Sequence, residues 1–226
     1  MSKYNLLQNI NTSNSTLILN PCPIIIIKNA LTSNSVYQEL VEEYPSISKC
    51  FYEDSKNHKA MISNTTYEIP SNTFINSEDY STKWKKFIEF HTSNDFLKEL
   101  LNLQNLKKLE GLTNIKSNIK MDCLVGYNSP VIQKSCNPDK YKYYKKGVNI
   151  IYNGFFFLRK DIDDSKGGSI EFYHDDGTTK KKIISIPYQK NCFIMFIGNG
   201  DRISCQESYI EPTLHCRKMV KIVGYT

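Results

Sequence analysis

One stretch of the sequence indicates the fold most clearly: Asp163-Asp164-Ser165-Lys166-Gly167-Gly168-Ser169-Ile170-Glu171-Phe172-Tyr173. It begins with turn formers that end in two consecutive glycines, and it continues with apolar Ile170 and Phe172 on either side of a glutamate. A tight turn followed by alternation with a period of two is typical of a β-strand that buries one face. A second turn cluster, Asp175-Asp176-Gly177, follows at once, so the stretch predicts one strand between two turns.

Six further strand-like runs, with turn formers between them, lie in the same half of the chain, at residues 121–127, 148–152, 154–159, 182–186, 192–197 and 218–225. Many short strands at this spacing are typical of a barrel, a sandwich or a jelly roll. The C-terminal half is therefore predicted to be a β-structure built from about seven short strands.

The N-terminal half shows mainly helical patterns. An aliphatic run at residues 24–27 predicts one strand, and Thr32 or Ser33 can cap a helix that ends before Pro45. Residues 81–103 carry apolar residues at helical spacing with a break near residue 92, where Ser93 can cap a second helix. Residues 46–80 show little periodicity and predict an irregular segment. We expect a flexible polar arm over residues 1–20 and one α+β domain over residues 21–226.

Composition excludes several classes of protein. The 226 residues are 40% hydrophobic and 12% aromatic, enough for a folded core, and the net charge of +6 is too small for a dedicated nucleic-acid binder. No apolar run approaches the length of a membrane span, and the first residues lack the apolar core of a signal peptide. The seven cysteines are scattered without a Cys-x-x-Cys pair. We expect a cytoplasmic protein with reduced thiols and no membrane partner.

Four segments together resemble the iron(II)- and 2-oxoglutarate-dependent oxygenases of the prolyl 4-hydroxylase-like group. Residues 154–159 are similar to the core strand of that family, and residues 163–173 are similar to its Gly-Gly-x-Leu-x-Phe hairpin. Residues 191–196 resemble its late Asn-x-hydrophobic strand, and residues 217–222 resemble its last strand. The resemblance extends over most of the chain from about residue 20. It implies a double-stranded β-helix, a jelly roll whose larger sheet is braced by the N-terminal helices.

The same resemblance implies a site for the cosubstrate. Arg217 corresponds to the basic residue that grips the C5 carboxylate of 2-oxoglutarate, and Lys218 takes that place if the alignment is shifted by one residue. A planar guanidinium suits a carboxylate because it can donate two parallel hydrogen bonds. Tyr127 is expected to line the pocket.

The iron site of the family, by contrast, is not matched. The family uses a His-x-Asp pair and a distal histidine as ligands, but Ser204 stands where the distal histidine is expected. An ammonium group has no lone pair to donate, and a serine hydroxyl is a poor iron ligand. The resemblance therefore implies a degenerate oxygenase that acts by binding. The candidate positions for the missing pair are Lys134 and Cys136, or Tyr144 and Lys146, while a third alignment supplies only Asp139.

Two alternatives stay open. His174, Asp176 and His215 form a different His-x-Asp set with a later histidine, which would suit an active hydroxylase that converts 2-oxoglutarate and oxygen into succinate, carbon dioxide and a hydroxylated product. The run of lysines and tyrosines at residues 140–146 would suit a glycan or a nucleic acid, although a solvated loop is the ordinary interpretation of such a run. The expected ligands of the barrel cleft are a small acid, a peptide or a sugar, and exposed strand edges would permit a homodimer.

Overall fold

Two antiparallel β-sheets with a layer of helices form the structure, a computed structural model that describes residues 2–19, 23–46, 66–101, 119–128, 134–135, 150–175, 178–197, 203–207 and 217–226. The N-terminal elements are β1 (Ser15–Ile18), β2 (Ile24–Lys28), α1 (Asn34–Glu42), β3 (Thr66–Pro70), α2 (Ser71–Asn76), α3 (Thr82–His91) and α4 (Asn94–Leu101). The C-terminal strands are β4 (Lys120–Asn128), β5 (Lys134–Ser135), β6 (Ile150–Phe157), β7 (Ile170–Asp175), β8 (Lys180–Ile186), β9 (Cys192–Ile197), β10 (Ile203–Glu207) and β11 (Arg217–Tyr225).

The strand order confirms the double-stranded β-helix. The larger sheet has the order β1-β2-β9-β6-β11-β4-β3, and the smaller sheet has the order β5-β10-β7-β8. From β4 to β11 the chain passes repeatedly between the two sheets, and each sheet receives four of these eight strands. This is the jelly-roll arrangement, in which the inner faces of the two sheets enclose a common core.

The larger sheet is buried on both faces. On β6, Phe155 and Phe157 pack in the core between the sheets, whereas Phe156 packs with Trp84 and Phe87 in the core beneath the helices. Because successive side chains of a strand point to opposite faces, the two cores are separated by the sheet alone. The predicted bracing of the larger sheet by the N-terminal helices is confirmed.

Serines begin three of the helices, as their positions in the sequence predict. The Ser33 and Ser81 hydroxyls accept hydrogen bonds from the backbone N–H groups of Val36 and Trp84, both at 3.4 Å. The Ser93 hydroxyl accepts from the N–H of Phe96 at 3.3 Å. Each bond satisfies a donor of the first helical turn that lacks a partner within the helix. No helix in the described ranges has the length and hydrophobicity needed to cross a membrane.

The N-terminal segment differs from the flexible arm expected over residues 1–20. Tyr4, Leu6 and Leu7 are buried in the core beneath the helices, and β1 pairs with β2 at the edge of the larger sheet. The prediction followed the polar composition of this segment, whereas a few apolar side chains anchor the segment in the core. Residues 46–80 also differ from an irregular segment, because β3 and α2 lie there and β3 pairs with β4.

The strands predicted at 148–152 and 154–159 form a single strand, β6, that runs through Gly154. A Cβ atom at Gly154 would lie 2.8 Å from the ring of Phe193 on the neighbouring strand. Glycine here makes room for that ring and does not mark a turn. Two short strands, β5 and β10, have no counterpart among the predicted runs.

Candidate functional site

Arg217 and Lys218, the two candidates for the cosubstrate cation, point to opposite faces of β11. Arg217 is 1% exposed, and its guanidinium contacts Met219, which packs in the core between the sheets. The Lys218 Nζ lies 5.2 Å from the centroid of the Tyr44 ring, which belongs to the core beneath the helices. Arg217 is therefore the basic residue that faces the interior of the jelly roll.

The guanidinium of Arg217 sits among aromatic rings and a backbone carbonyl. Its Nη1 donates to the carbonyl oxygen of Gly168, and its Nη2 lies 3.3 Å from the Met219 sulfur. The Cζ atom is 5.6 Å from the centroid of the Phe157 ring and 5.9 Å from that of Tyr188. Aromatic faces attract a cation without taking up its N–H donors. The charge is thus stabilised by the rings as well as by the Gly168 carbonyl.

A second arginine fixes the loop that carries the Gly168 carbonyl, between β6 and β7. Arg159 donates to the carbonyl oxygens of Asp163 at 2.9 Å, Ser165 at 2.8 Å and Tyr188 at 2.7 Å. The Asp163 carboxylate in turn accepts from the Ser165 N–H at 2.9 Å. These bonds hold the first part of the loop as a compact unit. They also commit Arg159 to backbone carbonyls, whereas Arg217 is directed into the interior.

Tyr188 joins this loop to the start of β11. Its hydroxyl accepts a hydrogen bond of 3.2 Å from the Lys218 N–H, directly after Arg217, and its ring packs edge-on against Phe157. Burial raises the pKa of Tyr188 above its usual value, so the hydroxyl stays protonated. Tyr188 therefore fixes the backbone from which the Arg217 side chain projects.

A second buried cation lies farther along the same inner face. Lys221 is 4% exposed, and its cross-strand partners are Leu124 and Phe155. Four residues along a strand separate it from Arg217 by about 13 Å between Cα atoms. The same inner face therefore carries two buried positive charges, and a negative charge nearby stabilises such groups.

An amide adds a third polar group to this inner face. Asn153 on β6 is fully buried, and neither side-chain atom has a hydrogen-bond partner among the described residues. It pairs across the strands with Phe196 and Val223, one step beyond the row that contains Lys221. A buried polar group of this kind is normally hydrogen-bonded, so Asn153 suits a position beside a polar ligand.

The other predicted site residues are only partly within the described ranges. His174 is half-buried near the end of β7, six residues beyond Gly168, and its strand partners are Ile203 and Lys181. Three predicted residues lie in strands: Tyr127 pairs with Lys218, Lys134 with Glu207, and Ser204 with Tyr173. Cys136, Asp139, Tyr144, Lys146, Asp176, His215 and the run 140–146 lie outside the described residues.

Among the described residues, no group of three histidine, cysteine, aspartate or glutamate side chains could hold a metal ion. Of the positions weighed for ligands, Lys134 and Ser204 lie in paired strands of the smaller sheet. Neither residue type suits iron(II).

Several residues that build the site were not singled out by the sequence analysis. Lys221, Asn153 and Tyr188 line or support the inner face, and the first two have a signal in the sequence. Lys221 interrupts the apolar run of residues 219–223, four residues after Arg217, and therefore shares its face. Asn153 likewise stands within a run of apolar residues in β6. Tyr188 gives no comparable signal, because its role depends on a contact made in three dimensions.

Comparison with solved structures identifies the same fold. A prolyl hydroxylase from Trichoplax adhaerens, in complex with a peptide fragment of the hypoxia inducible factor oxygen degradation domain, matches 99% of this chain and 88% of its own, with a TM-score of 0.55 and 11% identity. A Pseudomonas putida prolyl-4-hydroxylase matches 99% of this chain and 98% of its own, with a TM-score of 0.52 and 8% identity. No family model and no curated protein sequence matches the chain. The fold is that of the prolyl hydroxylase-like oxygenases, as the sequence resemblance implies.

Proposed function

We propose that this protein binds 2-oxoglutarate or a similar dicarboxylate inside the jelly roll, without the iron chemistry that the fold family carries out. Arg217 holds one carboxylate of the ligand, and the inner face that also bears Lys221 and Asn153 receives the rest. The single observation that supports this most strongly is the placement of Arg217. It is a fully buried arginine at the first position of the last strand, directed between the two sheets.

Charge and chemistry both favour a dicarboxylate. The guanidinium can form paired hydrogen bonds with a carboxylate, and its aromatic neighbours limit the water that competes for them. Lys221 adds positive charge deeper on the same face. A ligand with two separated negative charges therefore gains more from this interior than a ligand with one.

The residues at the matched metal positions do not suit iron(II). Lysine replaces a ligand that must donate a lone pair, and serine replaces the distal imidazole. The proposed role is therefore recognition in place of turnover. The solved prolyl hydroxylase from Trichoplax adhaerens carries a peptide, so a peptide that reaches the same cleft is a candidate for a second ligand.

The test is a calorimetric titration of metal-free protein with 2-oxoglutarate, and with pyruvate as a monocarboxylate control. The chain offers a matched pair of variants, because Arg217→Gln removes the inward cation and Lys218→Gln removes its outward neighbour. We expect 2-oxoglutarate to bind more tightly than pyruvate. The R217Q variant should bind at least ten-fold more weakly than wild type, since a charge-assisted bond contributes about 1.5–3 kcal/mol. The K218Q variant should bind within two-fold of wild type.

Equal loss of affinity in both variants, or no binding by wild type, would refute the proposed carboxylate-binding site at Arg217. An anaerobic titration of the same protein with iron(II) and 2-oxoglutarate tests the metal separately. We expect no visible charge-transfer band. A strong band would show that an unusual ligand set holds iron, and the residues to change next would be His174 and His215.

A further inference from the structure

One acceptor of the Arg217 guanidinium belongs to the loop between β6 and β7. Its Nη1 donates to the carbonyl oxygen of Gly168, the second residue of the Gly-Gly turn. A carbonyl oxygen is the neutral equivalent of one carboxylate oxygen. The bond therefore occupies a donor that a carboxylate ligand would use.

Gly168, which carries this carbonyl, and Gly167 before it both have a backbone conformation that favours glycine. Gly167 has φ 80° and Gly168 has φ 71°, both in the left-handed region that residues with a Cβ atom rarely adopt. Glycine passes between left-handed and right-handed conformations at little cost. The Gly168–Ser169 peptide, which contains the Gly168 carbonyl, can therefore rotate about Gly168 more easily than a peptide that follows a residue with a Cβ atom.

The chain on either side of the glycines is held in place. Arg159 binds the carbonyl oxygens of Asp163 and Ser165 before the turn, and Ile170 pairs with Ile186 and Glu207 at the start of β7. A rotation at the glycines can thus move the Gly168 carbonyl while the rest of the loop and the sheet stay in place. This gives a short hinge between two fixed points.

We propose that the Gly168 carbonyl competes with ligands for the Arg217 guanidinium, and that a carboxylate ligand binds Arg217 by displacing this carbonyl. The Gly168–Ser169 peptide then turns away from Arg217, and Gly168 leaves the left-handed conformation. This inference rests on the proposed function, since it assigns the ligand to the same guanidinium. It predicts that a substitution that weakens the bond between Gly168 and Arg217 increases the affinity for 2-oxoglutarate, although the substitution adds no contact to the ligand.

The test is the affinity of the full chain for 2-oxoglutarate, compared between wild type and Gly168→Ala. A Cβ atom in the left-handed region costs roughly 1–2 kcal/mol and disfavours only the state in which the carbonyl covers Arg217, so G168A should bind roughly five-fold or more tightly than wild type. Lys166→Ala is the matched control, because it changes an exposed residue of the same loop and keeps both glycines. It should leave the affinity unchanged. If G168A does not fold, Gly167→Ala is judged by the same ratio.

Wild type alone supplies a second readout. The guanidinium ¹H–¹⁵N signal of Arg217, assigned by its disappearance in R217Q, should shift on addition of 2-oxoglutarate together with the backbone amide signals of Gly168 and Ser169. The inference is overturned if the glycine variants bind with wild-type or weaker affinity, or if the Gly168 and Ser169 amide signals do not move while the Arg217 signal does. No binding in any variant would instead refute the proposed function, and the inference with it.

Discussion

His91 makes the stability of the helical layer depend on pH. The imidazole is fully buried among the rings of Phe87, Phe90 and Phe96, with ring centroids 4.3, 5.2 and 4.8 Å away. Its Nδ1 donates to the Phe87 carbonyl oxygen at 2.8 Å, and its Nε2 has no partner among the described residues. Burial without a second hydrogen-bond partner disfavours the imidazolium, and the pKa of His91 falls to about 3.

The magnitude follows from proton linkage. In the unfolded chain the pKa of a histidine is about 6.5. Below that pH the unfolded state therefore binds a proton, while the imidazole of the folded state stays neutral. The free energy of unfolding therefore falls as the pH falls from 6.5 towards 3. Between pH 7.5 and pH 5.5 this one residue should lower it by about 1.4 kcal/mol.

Urea unfolding at the two pH values, followed by the fluorescence of Trp84, measures this difference. Trp84 is the one tryptophan of the chain, and it is buried in the same core. The His91→Leu variant should lose stability at pH 7.5 but show a pH difference smaller than that of wild type by about 1.4 kcal/mol. Phe96→Leu damages the same aromatic cluster without removing an ionisable group, so it should keep the full pH difference. If H91L showed the wild-type pH difference, the assignment of a buried neutral imidazole would be refuted.

Three further predictions concern the sheets. Gly224→Ala should lower the free energy of unfolding by about 1–3 kcal/mol, the usual cost of overpacking, because its Cβ would overlap the buried Tyr152 ring. Urea unfolding checks this, and a cost below that of Gly154→Ala would contradict it. Tyr188→Phe removes the acceptor of the Lys218 N–H and should cost about 1 kcal/mol in the same assay. Full retention of stability would count against that bond. Lys182→Met removes the 2.7 Å hydrogen bond to Glu171. Burial raises the pKa of the Glu171 carboxyl, but the hydrogen bonds from Lys182 and Tyr173 lower the pKa by more, so the net shift is downward. NMR titration of Glu171 should show its pKa rise in K182M, and an unchanged value would contradict this role.

Helices α1, α3 and α4 and most strands of the jelly roll could be predicted because their signals are local. Serine caps mark the starts of α1, α3 and α4, and the apolar runs mark β7, β9 and β11. The exceptions depend on contacts between distant segments. β10 carries one isoleucine and no long apolar run, and it becomes a strand because it pairs with β7 on one side and β5 on the other.

Gly154 shows why a residue type can mislead. Glycine within a strand pattern suggests a break or a close approach, and only the structure decides between them. Here the close approach is correct, because the Phe193 ring occupies the space where a Cβ atom would project. The two runs on either side of Gly154 therefore belong to one strand, and the inner face of β6 extends without interruption from Phe157 to Asn153.

The site itself was harder to predict because β11 is buried on both faces. An exposed strand shows its phase through alternating polar and apolar residues, but helices cover the outer face of β11 and the smaller sheet covers the inner face. Its basic residues at 217, 218 and 221 therefore do not reveal which of them point inward. The contact between Lys218 and Tyr44 shows that Lys218 lies on the outer face of β11. That contact joins residues 174 positions apart in the sequence. Because Lys218 points outward, Arg217 and Lys221 must both point inward, so a contact in the helical layer shows which basic residues lie on the inner face of the sheet.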